Sequence, residues 1–328
     1  MTPRAGHYDE ILIRDRDQFV NAALETFKFQ ARFNPVYKAY MEALQISPAT
    51  VSRLEEIPFL PIRFFKSHEV MTGGFEPAGV FESSGTTGST PSRHFVRDLG
   101  LYEASFGKAF ELFYGNPSKY CVIGLLPSYL ERGHSSLVYM VNRLIQLSPH
   151  PRSGFYLDDA KGLALLLEEL ESEGQATLLI GVTFALLDFA AEYPLPLRHT
   201  ILMETGGMKG RRKEMIREEV HRCLMDAFGL PAIHSEYGMT ELLSQAYSKS
   251  GGLFQCPPWM KIMARDEEDP FQVTASGAGA LNIIDLANIH SCSFIATDDA
   301  GKVNPDGTFS VLGRMDGSDL RGCSLLTM

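Results

Sequence analysis

Several things are scarce in this sequence of 328 residues. Basic side chains are outnumbered, 30 Lys and Arg against 40 Asp and Glu, which leaves a formal charge of −10. That balance argues against broad, sequence-independent nucleic-acid binding, which draws on Lys and Arg at phosphates, but leaves room for a local nucleotide pocket. Cysteine is limited to Cys121, Cys223, Cys256, Cys292 and Cys323, an odd number without a CxxC pair. Neither a disulfide framework nor a zinc ribbon is expected, and a reducing compartment fits better. No apolar run approaches the ~20 residues of a membrane-spanning helix. The first thirty residues, with Arg4, Asp9, Glu10, Arg14, Asp15, Arg16 and Asp17, are too charged for a secretory signal. The expectation is a cytoplasmic protein with no membrane span. Internal repeats and low-complexity segments are missing as well.

What is present is an ordinary globular composition, 45% hydrophobic and 21% charged, on a chain long enough for one large domain or two modest ones. Residues 1–58 read as helical, with Phe19, Ala22, Ala23, Phe27 and Phe29 among charges, and are expected to pack on the core. Pro58 to Pro61 break that pattern and read as a docking segment. Cys121–Leu126 is a short apolar run closed by Pro127, as expected of a buried strand. Asp158 or Asp159 would cap a helix carrying Leu163, Leu166, Leu167 and Leu170 that stops near Gly174. Two more strands are expected at 177–182 and 199–204, then a helix from about Arg211 to Phe228 with Met215, Ile216, Val220, Cys223 and Ala227 on one face. A strand beginning at Pro231 follows. This alternation predicts an α/β core over 59–250 with helices covering a largely parallel sheet. From 251 to 328 the helical period gives way to short runs such as 280–285, 293–296 and 308–312 between turn residues, which predicts a β-rich subdomain with a short C-terminal tail.

The most informative stretch is Ser83-Ser-Gly-Thr-Thr-Gly-Ser-Thr-Pro91. Five hydroxyls and two glycines fall in the seven residues from Ser83 to Ser89. Successive N–H groups and hydroxyls there can surround an anion, and Gly85 and Gly88 permit positive φ and close approach. Walker A spacing is absent, and His94–Arg97 reads as a strand, so the loop is expected between two strands. Taken alone it reads equally as a Ser/Thr-rich surface turn. A second motif, Ser235-Glu-Tyr-Gly-Met-Thr-Glu241, lies about 150 residues downstream.

Together the two motifs resemble those of the adenylate-forming superfamily, a phosphate loop [ST]SG[ST]TGxPK and a later YGxTE. Gly206-Gly207, Thr297-Asp-Asp299 and Gly313-Arg-Met-Asp316 are similar to further landmarks of that family, in the same order. Ile57-Pro-Phe-Leu-Pro-Ile-Arg-Phe-Phe-Lys66, Leu126-Pro-Ser-Tyr-Leu-Glu-Arg-Gly133 and Ile284-Asp-Leu-Ala-Asn-Ile289 resemble the LuxE-type acyl-protein synthetases more narrowly. The resemblance implies the large-domain fold of these enzymes. It also implies activation of a carboxylic acid, a fatty acid in the LuxE type, by ATP and Mg²⁺ to acyl-AMP. Transfer to a cysteine of the enzyme follows, and then to an acyl-accepting reductase or carrier protein.

Carried over by position, Ser84, Gly85, Thr86, Thr87 and Gly88 would hold the ATP phosphates, and Thr240 would also bind phosphate. Gly206, Gly207, Tyr237 and Gly238 would border the adenine. Asp299 would take the ribose hydroxyls or belong to a solvated turn, Arg314 would bind the nucleotide or be a surface charge beside Asp316, and Glu241 would be the Mg²⁺ ligand. The bland alternatives, Tyr237 as a core aromatic and Glu241 as a helix-start acid, are outweighed by the presence of the phosphate loop. The family's Lys after the loop proline is missing; Ser92-Arg93 follows Pro91, and Arg93 would supply the charge or equally sit in solvent. The chain ends twelve residues after Asp316, which sets the expectation of a protein without the family's usual lid, as in the LuxE type. That makes Cys323, in Arg321-Gly-Cys-Ser324, the expected acyl acceptor, a thiol that attacks as thiolate. The other four cysteines are expected to be packing residues. Arg132-Gly-His-Ser-Ser136 fails the GxSxG pattern at Leu137. Tyr129 and His134 would line an acyl pocket or pack, and Trp259 would pack. Two other readings stand beside the leading one: a carboxylate-adenylating ligase that delivers to a separate acceptor, and a nucleotide-binding scaffold without catalysis.

Overall fold

The computed structural model describes residues 8, 12, 15, 18–83, 90–126, 134–156, 159–206 and 215–315. They form two compact units, each assembled from separated stretches of chain. One unit collects the described residues of 1–106, 239–245 and 255–319; the other collects those of 107–238 and 246–254.

The first unit opens with α1 (Phe19–Phe33), whose Phe19, Ala23, Phe27 and Ala31 recur every four residues and are all buried. Asn34 ends α1 and starts α2 (Pro35–Ala43). Its side-chain oxygen accepts from the Tyr37 N–H at 3.0 Å, and Pro35 occupies the first helical position, where no N–H is needed. The proline-rich segment then forms β1 (Leu60–Pro61), followed by α3 (Phe64–Ser67), β2 (Gly79–Glu82), β3 (Arg93–Val96) and α4 (Leu99–Tyr114), which runs on into the second unit. β2 and β3 pair antiparallel on either side of the hydroxyl-rich loop, as expected.

The second unit continues with β4 (Cys121–Leu125), α5 (Ser136–Leu147), β5 (Gly154–Phe155), α6 (Ala160–Ser172), β6 (Thr177–Val182), α7 (Thr183–Glu192), β7 (Thr200–Thr205), α8 (Arg217–Phe228), β8 (His234–Tyr237) and β9 (Ala246–Ser248). Its sheet has the order β5-β4-β6-β7-β8-β9, parallel except for β9. Every residue of β4 and β6 is buried, the signature of a parallel sheet covered on both faces. Asp159 caps α6, accepting from the Gly162 N–H at 2.7 Å, and Leu163, Leu166, Leu167 and Leu170 are buried. Gly229, at φ +62°, stops α8.

The face of α8 differs from the expected one. The helix begins at Arg217, residues 211–214 lie outside the described residues, and Met215 and Ile216 precede it, with Ile216 exposed. Its buried stripe is Val220, His221, Leu224 and Phe228. At 100° per residue, Cys223 falls about 115° from the centre of that stripe, and it is exposed.

The chain then returns to the first unit for β10 (Met260–Arg265), β11 (Val273–Thr274), β12 (Gly277–Asp285), β13 (Phe294–Val303) and β14 (Phe309–Arg314). These strands make a sheet of order β1-β13-β12-β10-β11, with β14 also on β13. β1 joins it parallel to β13, Leu60 opposite Ile295. Phe294 of β13 sits among Phe27, Tyr37 and Phe59, with ring centroids 6.0, 6.2 and 6.2 Å away. The class is therefore α/β, a largely parallel helix-covered sheet plus a β-rich C-terminal region. The linear division expected at 58 and 250 cuts across the first unit, because β1 pairs with β13 through a contact that leaves no local mark. No helix among the described residues is long and apolar enough to cross a membrane.

Candidate functional site

In the second unit, β7 and β8 run side by side with Thr205 opposite Glu236. Gly206 follows the carboxyl end of β7 and Tyr237 closes β8. The crevice outside the carboxyl ends of parallel strands is where open α/β sheets bind ligands. Gly206 has φ +70° and no atom near the place a Cβ would occupy, so backbone conformation, not crowding, calls for glycine there. Its carbonyl lies 3.0 Å from the Thr183 hydroxyl, which is equally near Glu204. Burial pushes the Glu204 carboxyl up, but His221 and Arg217 outweigh it and hold it below the usual range. Their nitrogens stand 3.5 and 3.4 Å from it. Arg217 lies over the Phe254 ring at 5.0 Å, and Phe254 packs against Tyr237 at 5.8 Å between centroids. Tyr237 is thus braced as well as buried, while Gly238 beside it is exposed.

In the first unit, Glu241 is the centre. It is 5% exposed, and burial raises its pKa; the Ser92 hydroxyl donates to it and Arg314 attracts it, both lowering the pKa, while Asp299 opposes them. Ser92, buried, therefore stands at the carboxylate from the position after Pro91 where the related motif has Lys. Arg93 lies on the other face of β3 from buried His94, its guanidinium 5.3 Å over the Phe95 ring. Asp299 pairs in register with Arg314 across β13 and β14, 3.7 Å apart side chain to side chain. The Thr297 hydroxyl accepts from the Asp299 N–H at 3.2 Å and donates to the Leu281 carbonyl at 2.7 Å, where the register of β12 against β13 is irregular.

The backbone around Glu241 is held by side chains from distant sequence. His94 Nδ1 bonds the Thr240 carbonyl at 2.8 Å, and Asn288 Nδ2 donates to the Glu241 carbonyl at 2.7 Å. Asp285 accepts from the N–H groups of Leu243 and Ser244 at 2.9 and 3.0 Å and from the Ser244 hydroxyl. Burial lifts the Asp285 pKa to about 6, with Ser244 the chief opposing influence. The single tryptophan, Trp259, donates from its indole N–H towards Ser105 and Ser244, 3.1 Å from each. Of these residues, only the run containing Asp285 and Asn288 stood out in the sequence; Ser92, His94 and Trp259 carried no sign of this role.

Ser84, Gly85, Thr86, Thr87, Gly88, Gly207 and Cys323 lie outside the described residues, as does Tyr129. His134 is exposed. Cys121, Cys256 and Cys292 are buried, and burial raises the Cys121 thiol and pushes that of Cys292 up to about 12. Among the described residues no group of three or more His, Cys, Asp or Glu is placed to hold a metal ion.

No protein-family model matches the chain, and no curated protein matches it by sequence. Solved structures do. The fold is similar to that of a 2-hydroxyisobutyryl-CoA ligase in the postadenylation state with R3-HIB-AMP, at a TM-score of 0.62 and 12% identity, over 96% of this chain and 72% of the other. It is also similar to ATP-bound MatB from Rhodopseudomonas palustris, at a TM-score of 0.54 and 17% identity, over 74% of this chain and 49% of MatB. The match spans about half the length of MatB. At such identities the likeness establishes the fold: this chain has the α/β fold found in these ligases.

Proposed function

We propose that this protein is an adenylate-forming ligase that activates a carboxylic acid with ATP. A carboxylate oxygen attacks the α-phosphorus, the bond to the β-phosphate bridging oxygen breaks, and pyrophosphate leaves from an acyl-AMP. The observation that carries the reading is Glu241, a buried carboxylate in a YGMTE turn, with Ser92, Asp299 and Arg314 around it. The fold is one in which one solved relative holds ATP and another an acyl-AMP.

In this reading Tyr237 stacks on the adenine, with Gly206, Gly207 and Gly238 bordering it. Ser84, Gly85, Thr86, Thr87 and Gly88 hold the phosphates together with Thr240. Asp299 takes the ribose hydroxyls, and Arg314 tempers its charge. The donor chemistry at Glu241 fits Mg²⁺, a hard cation carried by one or two carboxylates together with phosphates. Its carboxyl is raised by burial, the condition of a carboxylate short of positive charge. A bound Mg²⁺ would offset the negative charge that gathers as the carboxylate approaches the α-phosphate. Ser92 donates to the Glu241 carboxylate and steadies its direction.

The LuxE-type resemblance assigns the next step to Cys323: its thiolate attacks the acyl carbonyl, AMP leaves, and a thioester remains for a reductase or carrier protein. The burial of Cys121, Cys256 and Cys292 supports this, since a desolvated thiol resists forming thiolate. A fatty acid is the substrate that the resemblance favours.

Carboxylate-dependent exchange of labelled pyrophosphate into ATP, run over fatty and aromatic acids, tests the first half-reaction. The parent is expected to exchange with at least one acid. Glu241→Gln is expected to lose exchange by a hundredfold or more while remaining folded, because it removes charge and not volume. Exchange near the parent rate in that variant removes Glu241 from the metal role.

A further inference from the structure

We propose that His94 and Asn288 are positioning residues that set the direction of the Glu241 side chain by holding the two main-chain carbonyls on either side of its Cα. The inference rests on the adenylation reading given above. The Thr240 carbonyl belongs to the peptide plane before the Glu241 Cα, and the Glu241 carbonyl to the plane after it. Peptide planes are rigid, so the only soft angles between them are φ and ψ of Glu241. His94 holds the first carbonyl at 2.8 Å and Asn288 the second at 2.7 Å. With both planes held, the Cα–Cβ bond of Glu241 has one direction.

Both holders are unusual as packing residues. His94 is 1% exposed and Asn288 is fully buried. A carbonyl only accepts, so His94 Nδ1 carries the hydrogen, and burial keeps the ring neutral by pushing its pKa down to about 4. Nε2 is then a bare acceptor, and it has no partner among the described residues. The Asn288 side-chain oxygen is also without a partner among them. A buried polar group with an unmet bond costs stability, and an apolar residue of similar shape would not carry that cost. Among the described residues each of the two side chains spends its hydrogen-bonding on one of two successive carbonyls. They reach the turn from different places: His94 from β3, two residues after the Ser92 that donates to the Glu241 carboxylate, and Asn288 from the short helical turn Leu286–Asn288. Asp285, opening that turn, takes the next available N–H groups, of Leu243 and Ser244. Four contacts, at residues 240, 241, 243 and 244, thus brace one short segment from two separate elements.

Asn288→Leu and the pair His94→Phe and His94→Asn test this in the full chain. Asn288→Leu deletes the donor together with the unmet oxygen but also leaves the buried Glu241 carbonyl without that donor, so its urea midpoint is expected to fall while the chain stays folded under assay conditions. Its Mg²⁺ requirement for pyrophosphate exchange should rise at least tenfold, with KM for the acid little changed. Hydrogen exchange of amides in residues 240–245 should quicken at least tenfold while exchange elsewhere stays as in the parent. Phe fills the imidazole volume but has no donor, whereas Asn places an N–H close to where Nδ1 stands. His94→Asn should therefore retain more exchange activity than His94→Phe although it packs worse; the reverse order is the packing result and overturns the inference. An active parent whose Asn288→Leu variant keeps both its Mg²⁺ requirement and its local amide exchange overturns the inference alone. A parent that exchanges pyrophosphate with no acid overturns the functional reading, and this inference with it.

Discussion

Glu236 of β8 is 7% exposed, accepts a short bond from the Thr205 hydroxyl and feels the charge of Glu204. Burial is the largest influence and lifts its pKa from the usual 4.5 to about 7. Folded protein therefore holds a proton that the unfolded chain releases between those values, so Glu236 lowers stability as pH rises from 4.5 through 7. Glu236→Gln has no charge to desolvate. Relative to the parent it is expected to gain about 3 kcal/mol between pH 5 and pH 8, a shift of roughly two and a half pK units converted to free energy. Urea unfolding at the two pH values measures it, and a pH-independent difference would mean that Glu236 titrates normally. This residue had no distinguishing mark in the sequence. Its neighbour Tyr237 did, because the YGMTE pattern is contiguous, whereas the environment of Glu236 is assembled from Thr205 and Glu204 on another strand.

The junction of α1 and α2 shows how one residue can close one helix, start the next and tie both to the segment ahead of β13. Asn34 caps α2 through its oxygen, and its Nδ2 donates to the Ser291 carbonyl at 2.9 Å and to the Thr72 hydroxyl at 3.2 Å. It is fully buried. Asn34→Ala removes the cap, worth ~1 kcal/mol, and strands buried partners, worth ~1–3 kcal/mol more. The urea midpoint should fall by the equivalent of about 2–4 kcal/mol. Asn34→Asp keeps the capping oxygen but sets a carboxylate oxygen against the Ser291 carbonyl, so its circular dichroism should show α2 intact while its midpoint stays below that of the parent. A midpoint unchanged in Asn34→Ala would mean that Pro35 alone starts the helix. The helical character of this region was legible from Phe19, Ala23 and Phe27. The tie to Ser291 was not, since it joins positions 257 residues apart.

Across the whole molecule the chain passes between its two units several times, and one passage lies inside the YGMTE motif: Tyr237 and Gly238 belong to one unit, Thr240 and Glu241 to the other. The proposed reaction also makes a prediction at this level. With Cys121, Cys256 and Cys292 buried, radioactive acid plus ATP should label the parent covalently, and neutral hydroxylamine should release the label as it does from thioesters. Cys323→Ser should lose the label and keep pyrophosphate exchange. Cys223→Ser is the informative control, because Cys223 is exposed on α8; it should label normally. Label that survives in Cys323→Ser places the acceptor elsewhere. A parent that exchanges but never labels points to delivery onto a separate protein.

Local patterns were enough to read the α/β order, the buried runs at 121–126 and 177–182 and a helix cap at Asp158 or Asp159, because each depends on neighbours within a few residues. The same locality made the YGMTE turn and Asp299–Arg314 visible as candidates. Folding in three dimensions was needed to put β1 beside β13, to turn Cys223 outward, and to bring His94, Asp285 and Asn288 onto the segment that carries Glu241. The contacts of His94, Asp285 and Asn288 join residues 41 to 146 positions apart, and the pairing of Leu60 with Ile295 joins positions farther apart still. Their physical basis is burial: a polar side chain removed from water must find a partner, and which backbone group stands within reach depends on how the strands pair, not on the residues beside it.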